Sequence, residues 1–599
     1  MILNHDLTKR KFFFLLAIFI TCQSLSAENY LGTGVVVAAH PLASYAGRVI
    51  LEQGGTAIDA AVTVQAVLGL VEPQSSGMAG GGFLLYYSSF DNKVISFDGR
   101  ERAPFKISPI IFEQFSGTRS GFYKAVTSTN SIGVPGIPAM LDQAHKKYGL
   151  LQWNKLFQYP IKLAENGFKI SPRFYALVKR DRFLMNHNKS REYFYTDQLG
   201  INKNFIPKPI GTILRNKSYA KTLKKIAFLG ATEFYNGDIP ELIIDDLLKI
   251  NKETPLRKKD FIEYTSKERK PVCGYYRKFK ICSMGPPSSG GIAILQTLGI
   301  LQRYNPTLLN DEVTKIHLLT EATRLALADR SKFIGDPDFV KVPVDKLLNL
   351  KYLENRSKLI NLDSRIKNVK PGIFEDYNKL TLNEDVSTES TTHFVILDKL
   401  GNAVSMTSSV ESAFGSRIMS EGMVLNNQLT DFSFKSKDKN GLLASNAVAP
   451  GKRPMSSMSP TIIFDPEGNL FALVGSPGGK SIISYVLQSI ISLIDLNYSM
   501  QESISDARFL VRGKNTILEK NEFRDYFENL QTKKNFMAES IFIQNVENYS
   551  NNLEIEHLDN FLHKDWLLKF GKSLGYQKII FKPNAIGQSI CIMKKTIAK

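Results

Sequence analysis

A polar run, Ser387-Thr388-Glu389-Ser390, gives way at Thr391-Thr392-His393 to the apolar residues Phe394-Val395-Ile396-Leu397, so hydroxyl side chains stand at a loop-to-strand junction. A hydroxyl at such a junction is ordinary, yet a threonine at a chain N-terminus can use its own α-amino group as the base for its hydroxyl. A precursor creates that terminus if the Thr391 hydroxyl attacks the Ser390 carbonyl and the resulting ester hydrolyses, leaving two chains. No histidine and no metal enter that chemistry. The sequence offers little for either: it has no HExxH, no CxxC and no grouping of its 8 histidines, so neither a metal site nor a cofactor is expected. A second segment, Gly475-Ser476-Pro477-Gly478-Gly479-Lys480-Ser481, invites comparison with a phosphate loop, but where that loop needs its first glycine the residue is Val474. After the apolar run FALVG the Gly-Ser-Pro-Gly-Gly turn instead reads as exposed backbone N–H groups at the start of a helix, where they suit a carbonyl oxygen or an oxyanion. No GxSxG elbow stands out.

These groups need a scaffold, and the pattern of apolar residues supplies one. Gly34 to Ala39 reads as a strand, Ala43 to Gln53 and Ala57 to Leu70 as helices, and Phe83 to Tyr87 as a fully apolar strand after Gly80-Gly81-Gly82. Residues 136–330 are mostly helical in pattern; from Val313 to Ser331, for example, Ile316, Leu319, Ala322, Leu325 and Ala328 recur at helical spacing. From 391 the chain turns hairpin-rich, with FVILD, the turn KLGN, AVSMTSS, and later TIIF and FALVG. No repeat and no linker divides it, so one intertwined α/β unit is expected.

The chain has 599 residues, 43% hydrophobic and 22% charged, with 76 Lys+Arg against 57 Asp+Glu for a formal charge of +19. This balance excludes disorder, collagen-like repeats and a multi-span membrane protein. The charge raises nucleic acid as a partner, but the N-terminus argues against it. Lys9-Arg10-Lys11, the apolar run Phe12 to Thr21, and the small residues Ser24, Ser26 and Ala27 form a secretory signal, residues 1–27, cleaved after Ser26 or Ala27. No later window reaches the roughly 18 unbroken apolar residues of a membrane span. The mature protein is therefore expected in the periplasm or secreted, with no nucleic-acid partner and no stable membrane span. Residues 201–280 hold 18 Lys/Arg and 9 Asp/Glu, which reads as solvated helix faces. Cys273 and Cys282 face each other across a hairpin turning at Arg277-Lys278, where they form either a cross-strand disulfide or two free buried thiols.

The run STTHFVILDKLGNAVSMTSS resembles the nucleophile region of the γ-glutamyltransferases (γ-glutamyltranspeptidases), members of the N-terminal-nucleophile hydrolases. EQGGTAIDAAV, SSGMAGGGF, FDGRERAP, SIGVPGIPAM, GPPSSGG, ADRSKFIGDPDFVKVP, KRPMSSMSPTI and GSPGG extend the resemblance over residues 33–510. It implies an αββα sandwich formed as one fold by two self-cleaved chains, 28–390 and 391–599. It implies Thr391 as nucleophile and, with Ser390, as cleavage site, Ser409 as the hydroxyl supporting it, and Gly478 and Gly479 as oxyanion donors. Arg100, Ser456 and Ser457 would hold the α-carboxylate of a γ-glutamyl group, and Asp431, Gln428 and Glu411 its α-ammonium. Without the resemblance, Arg100 reads as a surface residue paired with Glu101 or Asp98, and the serines as turn residues. The implied substrates are glutathione and other γ-glutamyl amides, with water, amino acids or peptides as acceptors.

Some features depart from the family pattern. Phe434 to Asn446 resembles the lid loop over the glutamyl pocket but has no aromatic after Phe434 to act as a gate. Residues 511–566 look like a divergent insertion, NAIGQSICIM resumes a strand, and the usual acidic-Pro-Arg ending is absent. Two rival readings stand beside the transferase: a related amidase, of cephalosporin acylase or polyglutamate-processing type, and a catalytically impaired secreted binding paralogue.

Overall fold

The strands around Thr391 are apolar on both sides because both of their faces are covered. The computed structural model describes residues 32, 34–197, 205–377, 379–383, 390–512, 515–519, 540–544 and 590–593. The expected signal segment 1–27 lies outside these residues, as does most of 511–566. The elements that build the site are, in chain order, β1 (Val35–Val37), α1 (Pro41–Glu52), α2 (Ala57–Val71), β2 (Gly81–Ser88), β3 (Lys93–Gly99) and β4 (Lys267–Arg269). They continue with β5 (Val272–Tyr276), β6 (Phe279–Ser283), α3 (Gly290–Leu301), α4 (Glu312–Phe333), β7 (Thr392–Leu397) and β8 (Ala403–Ser409). The last are β9 (Thr461–Phe464), β10 (Leu470–Gly475), α5 (Ser481–Ile494) and β11 (Ile590–Met593).

One antiparallel sheet runs β1-β7-β8-β2-β3-β4, and a second runs β11-β10-β9-β6-β5. Successive side chains on a strand point to opposite faces, and the core divides accordingly. Phe83, Leu85, Val395 and Leu397 join a core shared with Ile462, Leu473 and Val474 of the second sheet. Leu84, Tyr86, Phe394, Ile396, Val404 and Met406 join the core under α1 and α2. Helix α2 is predominantly apolar and almost wholly buried, as its position inside that layer requires. Helices α3 and α5 cover the other face of the second sheet, with α4 packed on α3. The layers are helix, sheet, sheet, helix, the αββα arrangement expected from the sequence.

The expected helices and strands stand within a few residues of their positions. The β5–β6 hairpin pairs Cys273 with Cys282 and turns at Arg277 and Lys278, whose φ of +48° and +74° are the left-handed values a two-residue turn of this twist needs. Of the two states left open for the cysteines, the disulfide is the one present. Within the basic segment, the helices Lys217–Leu229 and Ile239–Ile250 bury Leu223, Ile226, Ile243 and Leu247, while lysines pair outward, Lys224 with Glu165 and Lys225 with Asp238. The solvated-face reading of that charge holds.

The β7–β8 turn is tied to α2 by one side chain. Asp398 accepts the N–H groups of Leu400 (2.9 Å), Asn402 (3.0 Å) and Ala57 (3.0 Å), the last in the first turn of α2. A buried carboxylate at a helix N-terminus is well placed for both the free N–H groups and the helix dipole. Asp398→Ala should therefore lower stability by about 2–4 kcal/mol, read as a reduced urea midpoint; an unchanged midpoint would show that the turn does not anchor the helix.

Candidate active site

Thr391 immediately precedes β7 and is buried, and Ser409 closes the neighbouring β8, so sheet pairing brings their hydroxyls to 3.4 Å. The Thr391 hydroxyl donates to the Ser390 carbonyl oxygen. The Ser409 hydroxyl donates to the same oxygen at 3.3 Å, while its own oxygen accepts the Glu411 N–H at 2.8 Å. Ser390 is fixed from the other side by its hydroxyl, which donates to the Gln74 carbonyl at 2.6 Å. A hydroxyl thus lies against the carbonyl of the preceding residue, and that carbonyl oxygen already has a second donor where negative charge would develop on attack. His393, two residues on, is not part of this pocket: burial holds it neutral, its pKa lowered to about 3, and its Nδ1 is 2.8 Å from the Thr407 hydroxyl.

Arg100 follows the last residue of β3 and is 1% exposed, so the surface reading of this arginine does not hold. Its Nη2 donates to Asp431 Oδ2 at 2.6 Å and to the Met455 carbonyl at 2.8 Å, and its Nε donates to the Pro454 carbonyl at 3.0 Å. Asp431 Oδ2 also accepts from Gln428 Nε2 at 2.7 Å. Asp98 steadies the backbone from behind: it accepts the Arg100 N–H at 2.8 Å and pairs with Arg453 at 2.6 Å and Arg269 at 2.7 Å. Glu101 points into the same buried region, with its Oε2 at 3.7 Å from Arg100 Nη1. Its carboxyl fills the space beside Gly81, where an added Cβ would come within 2.1 Å of it, so no larger residue fits at 81.

One pocket, open to solvent, brings these groups together. Of the expected residues, Arg100, Ser390, Thr391, Ser409, Glu411, Gln428, Asp431, Ser456, Ser457 and Gly479 line it. Gly478 stands next to Gly479 in the turn before α5; their φ values of +122° and +55° belong to the region glycine tolerates best. Glu411 reaches its place through a φ of +78°, an uncommon conformation for a residue with a side chain, and its Oε2 accepts from the Ser412 hydroxyl at 2.6 Å and from Asn427. The expected lid loop contributes no lining residue: Phe434 stacks on Phe112 at 5.2 Å, in a separate apolar cluster. Arg330, Lys480, Met455, Met458 and Ile482 also line the pocket, and none was singled out from sequence. Arg330 lies in ADRSKFIGDPDF and Lys480 in the glycine turn, so the motifs were visible and the individual roles were not.

A sequence profile described as Gamma-glutamyltranspeptidase matches residues 43–551. The chain is 36% identical over 485 residues to a Bacillus subtilis (strain 168) protein named Glutathione hydrolase proenzyme, spanning 79% of this chain and 80% of that one. Helicobacter pylori gamma-glutamyltranspeptidase superposes with a TM-score of 0.53 at 36% identity, over 58% of this chain and 97% of that chain. Cephalosporin acylase from Bacillus halodurans superposes with a TM-score of 0.72 at 24% identity, over 85% and 89% respectively, a likeness of fold.

Burial raises the Glu101 carboxyl from 4.5 to about 8, with Arg100 pulling it partly back. Between those values the unfolded chain is ionised at this position while the folded chain holds the proton. Folded protein therefore binds the extra proton, and its stability falls as pH rises through that window. Wild type should lose thermal stability between pH 5 and 8 relative to Glu101→Gln, measured as melting temperatures at both values. Parallel behaviour of the two proteins would contradict a protonated Glu101.

Proposed function

The chain belongs to the gamma-glutamyltranspeptidase family, and from that premise we propose that it is a γ-glutamyltransferase and glutathione hydrolase made as a self-cleaving precursor. The observation that carries the proposal is the Thr391 hydroxyl set against the Ser390 carbonyl, at the edge of a pocket that also holds the Arg100–Asp431 pair. In maturation, Thr391 Oγ1 bonds to the Ser390 carbonyl carbon and the oxygen takes the charge, with the Ser409 hydroxyl donating to it. The C–N bond breaks, the nitrogen takes the proton, and water hydrolyses the ester. Two chains result, 28–390 and 391–599, the second beginning with a free amine beside its nucleophile.

Catalysis repeats this chemistry on a γ-glutamyl amide. The Thr391 hydroxyl, its proton taken by the α-amine, attacks the γ-carbonyl while the backbone N–H groups of Gly478 and Gly479 receive the oxyanion. The leaving amine departs with a proton, and water or an amino acid or peptide then takes the acyl group from the ester. Arg100 with the hydroxyls of Ser456 and Ser457 holds the α-carboxylate, a match for a planar fork of donors. Asp431, Gln428 and Glu411 receive the ammonium; Gln428 Oε1 has no hydrogen-bond partner among the described residues and supplies a spare acceptor there. A zwitterionic head replaces the single Arg100–Asp431 contact with two, whereas an acyl group lacking either charge leaves one buried partner unmatched. Met455, Met458 and Ile482 supply apolar lining for the methylene chain.

Export fits the signal-like N-terminus, and the Cys273–Cys282 disulfide supports an oxidising compartment. Among the described residues no helix is long and apolar enough to cross a membrane.

Thr391→Ala should remain one uncut chain with no activity, read on a denaturing gel and by N-terminal sequencing; splitting of that variant at 390/391 would sink the self-cleavage step. Asp431→Asn should lower kcat/KM for γ-glutamyl-p-nitroanilide by about 100-fold, corresponding to ~3 kcal/mol for an uncompensated buried partner. Preference of the wild type for glutaryl-p-nitroanilide, which lacks the ammonium, would instead mark an acylase.

A further inference from the structure

Arg330 has no part in the scheme above, yet it is buried at the last turn of α4 and lines the pocket. Its guanidinium forks between Ser457, one of the two serines assigned to the carboxylate, and Ser289, which bonds the backbone of the other. Nη2 donates to the Ser457 hydroxyl oxygen at 3.0 Å. Nε donates to the Ser289 hydroxyl oxygen at 2.8 Å, and Ser289 in turn donates to the Ser456 carbonyl through its hydroxyl (2.5 Å) and its backbone N–H (2.8 Å). The Ser456 N–H completes the link by donating to the Pro287 carbonyl at 3.0 Å. One cation therefore holds one serine directly and the backbone of the other at one remove.

The direction of these bonds matters. A guanidinium has donors and no acceptor, and a serine hydroxyl has one proton and two lone pairs. With Arg330 donating to its oxygen, Ser457 is turned so that its own proton points elsewhere, and among the described residues no acceptor takes it. That is the orientation a hydroxyl needs in order to donate to a carboxylate.

We propose that Arg330 is a positioning residue for donor recognition: it fixes Ser457 as a hydrogen-bond donor to the substrate α-carboxylate and holds the Ser456 backbone in register through Ser289. This rests on the γ-glutamyl reading of the pocket. Arg330 acts through Ser457, so its contribution exists only for substrates that carry the carboxylate.

The test compares γ-glutamyl-p-nitroanilide with 4-aminobutyryl-p-nitroanilide, which keeps the amine and the reacting carbonyl and lacks only the α-carboxylate. Wild type, Arg330→Gln, Arg330→Lys, Ser457→Ala and the Arg330→Gln/Ser457→Ala double variant are assayed as processed protein. Arg330→Gln should lose about 10- to 100-fold in kcat/KM on the γ-glutamyl donor, chiefly through KM, the scale of a lost charge-assisted hydrogen bond. It should stay within about 2-fold of wild type on the 4-aminobutyryl donor. In the Ser457→Ala background the same change should add little. Arg330→Lys, which keeps the charge and the stem but not the fork, should fall between; it carries the comparison if the Gln variant is not processed. Equal losses on both donors, or full additivity with Ser457→Ala, would overturn the inference while leaving the function standing. Wild type that cleaves neither donor would overturn the function and this inference with it.

Discussion

A guanidinium as buried as Arg100 needs a counter-charge, because an unmatched buried charge is among the costliest features a fold can contain. The surroundings of the site follow from that requirement. Asp431 neutralises it, the carbonyls of Pro454 and Met455 take the Nε–H and the second Nη2–H, and Gln428 braces Asp431 from the far side. Asp98, itself clamped by Arg453 and Arg269, holds the backbone on which Arg100 stands. A preformed ion pair is poorly suited to an uncharged ligand and well suited to a group bearing both charges at one carbon. The desolvation cost is met on folding, and a ligand of that kind would exchange partners rather than enter an empty site.

The sheet gives Thr391 its fixed position. Strand β7 is paired on both sides, by β1 and β8, and β8 is paired again by β2, so the order β1-β7-β8-β2 alternates segments from before and after residue 390 in blocks. A cut at 390/391 would therefore leave the two pieces interleaved in one sheet and sharing both cores. The pocket is likewise shared: Arg100 and Arg330 precede the cut, and Thr391, Asp431, Ser456, Ser457 and Gly479 follow it. Cleavage can free an amine without dismantling the fold.

Much of this was legible in the sequence where the signal is local. The Thr391 junction could be read because a polar run meets an apolar strand, and the fully apolar strands because both faces of the first sheet are covered. The Cys273–Cys282 register follows from a two-residue turn; the bond itself does not, since two thiols would satisfy the same register. What could not be read depends on contacts far apart in the chain. Arg100 meets Asp431 across most of the described sequence, and no periodicity encodes that meeting. Arg330 shares the last turn of its helix with Lys332, and nothing local distinguishes the cation that reaches Ser289 and Ser457. Residues 434–446 resemble a lid until Phe434 is seen stacked on Phe112.

The most direct measurement is a crystal structure of the processed protein with L-glutamate bound, since glutamate carries both charges of the proposed acyl group. The account predicts the α-carboxylate on Arg100 and the serine hydroxyls, the ammonium on Asp431, and the γ-carboxyl beside Thr391 and the Gly478–Gly479 N–H groups. Glutamate seated with its α-carboxylate away from Arg100, and the Arg100–Asp431 contact unchanged, would contradict it.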